Sequence, residues 1–451
     1  MKAVLLSEFG DAWFVARRLQ REGHTVAMHI FDPASRKVGD GFVEKLPYPT
    51  VSRGTDLVLF DGTGRGELGQ KLRAQGFAVI GGNPLDHDLE VDRTKGTAFM
   101  RQVGIKTPPT YAFTTLAQGE AFLATHPGRW YFKPSGDVAT DLTRNGDARA
   151  VRRFLAWAGR SGAKFRGFEL QRAQDGAEVS VEGWFDGRRW VGPCNSTLET
   201  KKFCVGDLGP RTGCQANVVW PYRMTNPVLF GKTVERMAPL LRAAKYVGPL
   251  DLNCIIGDDG TPYGLEWSAR TGFDALQAWS LLIRGNWGEQ LAAFAHGKLE
   301  RWDVAPAFGL TLRLSTSPYP MDDAKIAAES TGLPLDPDLV KNPETTFLDD
   351  VRMGKDGLPE LAGRDGSVCC VGAVGTDWRA LQKQVLAKAD DLDIPSKAYR
   401  MDVVPDAERR WDALREHGYL DGFLVKETKP AGAKMTRRVV DPPADVIGGA
   451  A

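Results

Sequence analysis

Short apolar segments alternate with amphipathic helical ones over roughly the first ninety residues, and this alternation limits the fold more than any other feature. KAVLL, HTVAMHI, DLVLFD and FAVIG read as buried strands, while AWFVARRLQREG and ELGQKLRAQG read as helices with one apolar face. Buried strands joined through helices pair in parallel, with helices covering both faces of the sheet. Ligands of such sheets sit beyond the carboxyl ends of the strands. The loops Ser7-Glu8-Phe9-Gly10-Asp11 and Asp61-Gly62-Thr63-Gly64-Arg65-Gly66 are therefore candidate ligand loops. No G-x-G-x-x-G follows the first strand, which argues against a nicotinamide-dinucleotide site.

Further along, the pattern changes. A helix is expected from about Leu89 to Val103, and the paired prolines of IKTPPT mark a boundary after it. Residues 110–170 read as two short strands with two helices, a small subdomain. Long hairpins follow, with Asp-Gly turns at 175–176 and 186–187. The reading gives an N-terminal parallel α/β domain (1–88), a central region (89–299), a separate small α+β domain (300–425) and a flexible tail (426–451) rich in Lys, Pro, Gly and Ala. Charge is balanced, 58 basic residues against 57 acidic, so the whole chain offers no footprint for a nucleic-acid backbone. The basic residues of the tail read as a solvated extension. The six cysteines form no C-x-x-C pair and are expected as buried small hydrophobes. The N-terminus lacks a secretory pattern and no apolar run reaches the length of a membrane span, so a cytoplasmic monomer or homodimer is expected.

Three stretches carry chemistry. In YVGPLDLNCIIGDDGTPYGLEWSARTGFDALQ, two strands joined by a Gly-Asp-Asp-Gly turn set Asp251, Asn253 and Glu266 where they face one another. Asp251 and Asn253 are two apart and share a strand face. Oxygen ligands converging there suit Mg²⁺ (or Mn²⁺) shared with substrate phosphates, and Arg270 suits a carboxylate or a transferring phosphoryl group. Taken singly, each is ordinarily a solvated hairpin carboxylate; their interruption of apolar strands is what singles them out. Lys133 ends an aromatic strand and enters a Gly/Ser/Thr loop, a setting that brings an ammonium against phosphates. The stretch from Glu199 to Trp220 reads as a long loop in which Lys201, Lys202 and Arg211 suit an anion and Gly209 and Gly213 allow close backbone approach.

In this order the segments resemble the phosphoribosylamine–glycine ligase family of the ATP-grasp superfamily, over nearly the whole chain. The strongest marks are Asp207-Leu208-Gly209-Pro210-Arg211-Thr212-Gly213 and the E-x-x-x-R-x-G run from Glu266 to Gly272. The resemblance implies an ATP-grasp fold over 89–299 and an amide-forming ligase that uses ATP and a divalent cation, with small-molecule substrates. It assigns ATP to Lys95, Lys133, Gln171, Ala173 and Glu178, and substrate to Gly209, Pro210, Arg211, Thr212 and Gly213. It gives catalytic roles to Arg270, Lys201 and Asp207, and metal binding to Glu266 with Asn253 and Asp251 in support. Three departures stand out. The family's glycine-rich first loop reads Ser7-Glu8-Phe9-Gly10-Asp11-Ala12, its E-x-N metal pair reads Glu266-Trp267-Ser268, and its T-G-G-M-G run continues as T-G-C-Q-A. A divergent ligase joining an amino acid to another amine, or a non-catalytic nucleotide-binding paralogue, are the alternatives these departures raise.

Overall fold

The computed structural model describes residues 1–134, 144–162, 167–223, 228–272, 274–321 and 323–425. The expected tail and the loop after Lys133 lie outside these.

Five strands, β1 (Lys2–Ser7), β2 (Thr25–Ile30), β3 (Glu44–Lys45), β4 (Leu57–Phe60) and β5 (Val79–Ile80), form an all-parallel sheet in the order β3-β2-β1-β4-β5. Helices Trp13–Arg21 and Gly66–Ala74 connect them, as the alternation predicts. Both faces are buried, and each has its own apolar cluster. The helix expected from Leu89 is interrupted. A wider helical turn, His87–Val91, ends at Asp92, whose carboxylate caps a new helix, Arg93–Gln102, by accepting the Lys95 N–H at 3.0 Å.

A second, antiparallel sheet joins β6 (Thr110–Phe113), β7 (Arg129–Pro134), β8 (Arg144–Asp147) and β9 (Phe168–Arg172) in the order β6-β9-β7-β8. With helices Leu116–Thr125 and Ala148–Arg160 it encloses a core of its own around Trp130, Phe132, Leu155 and Phe168.

The third sheet is the largest. It runs β14-β13-β10-β11-β12-β15-β19-β16, from β10 (Ala177–Asp186), β11 (Trp190–Cys204), β12 (Leu208–Tyr222), β13 (Val247–Ile256), β14 (Pro262–Ser268), β15 (Phe308–Thr316), β16 (Thr346–Leu348) and β19 (Ser367–Gly375). A small ribbon of β17 (Val351–Met353) and β18 (Pro359–Leu361) lies off it, and β20 (Lys397–Ala398) pairs with the end of β15.

Three expectations are changed here. The Asp-Gly pair at 175–176 does not close a hairpin, since β9 and β10 belong to different sheets; only the pair at 186–187 does. The Glu199–Trp220 stretch is not a loop but a long β11–β12 hairpin, with its turn at Val205–Asp207. Residues beyond 300 do not stand apart either, because β15 pairs with β12 and extends the same sheet. Of the cysteines, Cys204 is exposed at that hairpin turn and the other five are buried. Among the described residues no helix is long and apolar enough to cross a membrane.

Candidate active site

The site follows from the strand register of the large sheet. Asn253 lies opposite both Ser180 on β10 and Glu266 on β14, while Asp251 lies opposite Glu182 and Ser268. Side chains alternate faces along a strand, so Glu178, Ser180, Glu182, Asp251, Asn253, Glu266 and Ser268 share one face. On β11, Thr197 is opposite Ser180, which brings Glu199 and Lys201 to the same face. An extra residue on β14 between Gly264 and Glu266 bulges that strand beside Asn253. Across from this face stand Lys133 and Gln171 of the small sheet and Arg93 at the start of its helix. Together they line a cleft of about 370 Å³.

The centre of the cleft is the Lys201 ammonium. Its Nζ lies 3.1 Å from Glu199 Oε2, 3.3 Å from Glu178 Oε1 and 3.7 Å from Glu266 Oε1. Arg93 reaches Glu266 Oε2 at 3.1 Å, and Arg211 stands 3.7 Å from Glu178. The Asn253 amide, taken with its oxygen toward Lys201, donates to Glu178 Oε1 at 3.3 Å. Charge in this setting opposes burial. Even so, Lys201, Arg93, Lys133 and Arg211 hold Glu266 well below the usual carboxylate range, and Lys201 with Arg211 and Arg410 lowers Glu178. The three glutamates in turn raise Lys201. At Lys133 burial outweighs the pull of Glu266 and brings the ammonium down to about 8.

Arg270 closes one end of the cleft. Its Nε donates to Glu90 Oε1 at 3.0 Å, and the other oxygen of Glu90 accepts the Ala269 N–H at 2.8 Å, which fixes the chain beside the arginine. Burial works against its charge, but Glu90 and Asp11 raise the guanidinium above its ordinary value.

The first loop, expected as a ligand loop, is folded around a buried carboxyl group. Asp61 accepts the Glu8 N–H at 3.0 Å, the Ala12 N–H at 3.1 Å and the Ser7 hydroxyl at 2.5 Å. Glu8 is held bidentate by Arg65 at 2.7 and 2.8 Å, and Asp11 by Arg364 at 2.7 Å. The acidic residues that the sequence places at this loop are thus matched by arginines far away in the chain.

Not every expected residue reaches the cleft. Lys133, Gln171, Glu178, Lys201, Arg211, Thr212, Gly213, Asp251, Asn253, Glu266 and Arg270 line it. Lys95 does not. It is exposed and paired with Asp88 at 2.7 Å, because two residues along a helix turn a side chain through about 200°, to the opposite face from Arg93. Asp207, Gly209 and Pro210 belong to the turn end of the β11–β12 hairpin, where Asp207 is half exposed and pairs with Arg400 at 3.2 Å. The Ala173 N–H is bonded to the Arg129 carbonyl at 3.0 Å, and its neighbours Gln171, Arg172 and Gln174 line the cleft instead. Asp251 stands apart from Glu266: it accepts from Ser180 Oγ at 3.2 Å, and burial together with Glu199 and Glu182 holds it well above the usual carboxylate range. Sequence reasoning missed Arg93, Glu199 and Glu182. The alternation Thr197-x-Glu199-x-Lys201 on one strand is the signal that points to Glu199 once that stretch is read as a strand.

A parallel α/β sheet, a small antiparallel sheet and a large one enclosing a cleft of lysines, arginines and glutamates constitute an ATP-grasp fold. Solved structures agree. The phosphoribosylamine–glycine ligase of Thermotoga maritima superposes with a TM-score of 0.69 at 18% identity, covering 89% of this chain and 100% of that one. The biotin carboxylase domain of the Hydrogenobacter thermophilus 2-oxoglutarate carboxylase, in complex with MgADP and bicarbonate, superposes at 0.61 with 12% identity, over 93% and 98% of the two chains. In sequence the chain is similar to phosphoribosylamine–glycine ligases: that of Ralstonia nicotianae is 25% identical over 356 residues, 75% of this chain and 81% of that protein. No family model matches the chain.

Proposed function

We propose that the protein is an ATP-dependent ligase that activates a small carboxylate as an acyl phosphate and joins it to an amine, with glycine and phosphoribosylamine, the substrates named in its relatives, as the leading pair. The observation that carries this reading is the charge arrangement of the cleft. Lys133 and Arg93 offer cations to a polyphosphate from across the cleft, and Arg211 beside Glu178 adds a third, facing glutamates and an asparagine that offer oxygen ligands.

The residues fit a hard divalent cation held in the way Mg²⁺ ordinarily is, by one or two protein oxygens with phosphates and water completing the shell. Glu266 and Asn253 are the residues that would hold it. Among the described residues no group of three or more acidic, His or Cys side chains surrounds a metal position, and Lys201 sits among the glutamates. When bound, such an ion neutralises charge on the phosphates.

The chain's own part is positioning and charge. Lys133 and Arg93 draw the terminal phosphates down onto the strand face. Arg270, anchored by Glu90, holds the substrate carboxylate in line with the γ-phosphorus. A carboxylate oxygen attacks that phosphorus, the bond to the β-phosphate oxygen breaks and ADP leaves. The amine nitrogen then attacks the acyl carbon, inorganic phosphate departs and the nitrogen loses a proton. No enzyme nucleophile is needed.

A second reading, in which the amine differs from a sugar phosphate, is favoured by the first loop. Its Glu8 and Ala12 N–H groups, suited to a phosphate, are already bonded to Asp61. The deciding experiment is an ADP-release screen of glycine and other amino acids against a panel of amines, including phosphoribosylamine generated in place, with hydroxylamine trapping of the acyl phosphate. Glu266→Ala is expected to abolish ADP release. Failure to form any hydroxamate with any carboxylate would refute the ligase reading, and complementation of a purine auxotroph separates the two amines.

A further inference from the structure

The floor of the cleft is split where its acids are densest. Strands β10 and β11 pair in register as far as Ser180 and Thr197, and among the described residues the pairing goes no further. Beyond that point β10 stays with β13, Glu178 opposite Ile255, while β11 stays with β12, Glu199 opposite Asn217. A continued ladder would set Glu178 directly opposite Glu199, with Cβ atoms about 5 Å apart and like charges that destabilise a sheet. Instead a side chain from the other face of the sheet enters the gap. Helix Val403–Glu416 packs there through Trp411, whose ring meets that of Trp220 edge-on at 4.9 Å. Trp220 lies opposite Ser196, one residue out of phase with cleft-lining Thr197, and so on the face away from the cleft. From this helix Arg410 Nη1 donates to the Glu199 carbonyl at 2.9 Å and to the Glu178 carbonyl at 3.4 Å, in place of the missing ladder bonds. Its Nη2 is held by Asp406 at 2.6 Å, and these two side chains are only 11% and 12% exposed. The two glutamates are thus flanked by cations, Lys201 on the cleft side and Arg410 behind.

We propose that Arg410 is a positioning residue for the nucleotide, a bridge between β10 and β11 that fixes where Glu178 and Glu199 stand about Lys201. A guanidinium suits the place because its donors lie in a rigid planar fork, so one group spans two carbonyls and a carboxylate at once. Without it both carbonyls lose a buried donor, and the strand ends are no longer held at one separation. Arg410 touches neither nucleotide nor substrate; it acts through the two strands. Affinity for the nucleotide is thereby tied to a helix that lies 211 residues beyond Glu199 in sequence. This inference deepens the ligase reading and rests on it for placing ATP in the cleft; the bridge itself does not.

The test is a calorimetric titration of the full chain with ADP and Mg²⁺. Arg410→Met keeps the aliphatic stem, removes charge and donors, and weakens ADP binding by about tenfold or more. Arg410→Gln, which leaves an amide in the gap, does the same and serves if the methionine variant does not fold. Arg410→Lys keeps the charge and a donor, and restores affinity to within about threefold of wild type. Glu408→Gln, on the same helix but in an exposed contact with Arg379, leaves affinity unchanged. Wild-type affinity in the Met or Gln variant overturns the proposal. So do a Lys variant as weak as the Met variant, an equal loss in Glu408→Gln, and a wild type that binds no ADP. Hydroxylamine trapping on the same proteins separates the two ideas, with the KM for ATP expected to rise in Arg410→Met while kcat stays within about twofold. The expected ADP pattern without any hydroxamate sinks the ligase reading and leaves the positioning role. Hydroxamate formed at an unchanged KM in Arg410→Met sinks the positioning role and leaves the ligase.

Discussion

Replacing Lys201 by methionine tests whether one ammonium holds the cleft together. Methionine keeps most of the aliphatic stem and removes the charge. The most buried of the three contacts, to Glu199 at 3.1 Å with side-chain exposures of 14% and 19%, carries most of the effect. Breaking a buried pair by deleting one partner costs roughly 3–5 kcal/mol, and this partly buried pair belongs at the lower end. Glu178 and Glu266 are 35% and 38% exposed and retain Arg211 and Arg93, so each adds only about 0.5 kcal/mol after solvent screening. The expected loss is about 4 kcal/mol near neutral pH, read from urea unfolding of both proteins. The pH dependence identifies the cause. Glu178 and Glu266 are held below their unfolded value of 4.5, so the stability they contribute is present above that value and is lost as pH falls through their folded values. Wild type therefore weakens in acid more than the variant does, and below about pH 4.5 the gap narrows by the share of these two glutamates, about 1 kcal/mol. A gap as wide at about pH 3 as at pH 7 would mean that the charges of Glu178 and Glu266 play no part in it, and a neutral-pH loss under about 1 kcal/mol would remove Lys201 from its central role.

Two further outcomes follow from the helix and the small sheet. Arg93→Ala is expected to raise the KM for ATP by about tenfold, the loss of one charge-assisted contact, while Lys95→Ala leaves it within about twofold; equal effects in steady-state ADP release would contradict the helix register. Lys133, brought down to about 8 by burial, loses its charge as pH rises past that value. The KM for ATP should then climb above about pH 8 in wild type, and stay flat over that range in Lys133→Arg, whose guanidinium keeps its proton.

Much of this protein is written in local pattern. The spacing of apolar residues in KAVLL, HTVAMHI and DLVLFD is enough to dictate a parallel sheet, and Gly257-Asp258-Asp259-Gly260 is enough to close the β13–β14 hairpin. Period-two alternation likewise places Asp251 and Asn253 on one face whatever surrounds them. These are short-range consequences of backbone geometry and burial. Tertiary structure decided what those faces meet. Whether Arg93 or Lys95 enters the cleft depends on where Asp92 restarts a helix, a matter of one capping bond. The continuation of the large sheet past residue 300 depends on β12 finding β15, a pairing across some ninety residues that leaves no local mark. The first loop shows the difference most clearly. Its sequence puts two acids in an expected ligand loop, but their charge is matched by Arg65 and Arg364, and its N–H groups are consumed by Asp61. Electrostatic environment is a property of what converges in space, and no window of the sequence contains it.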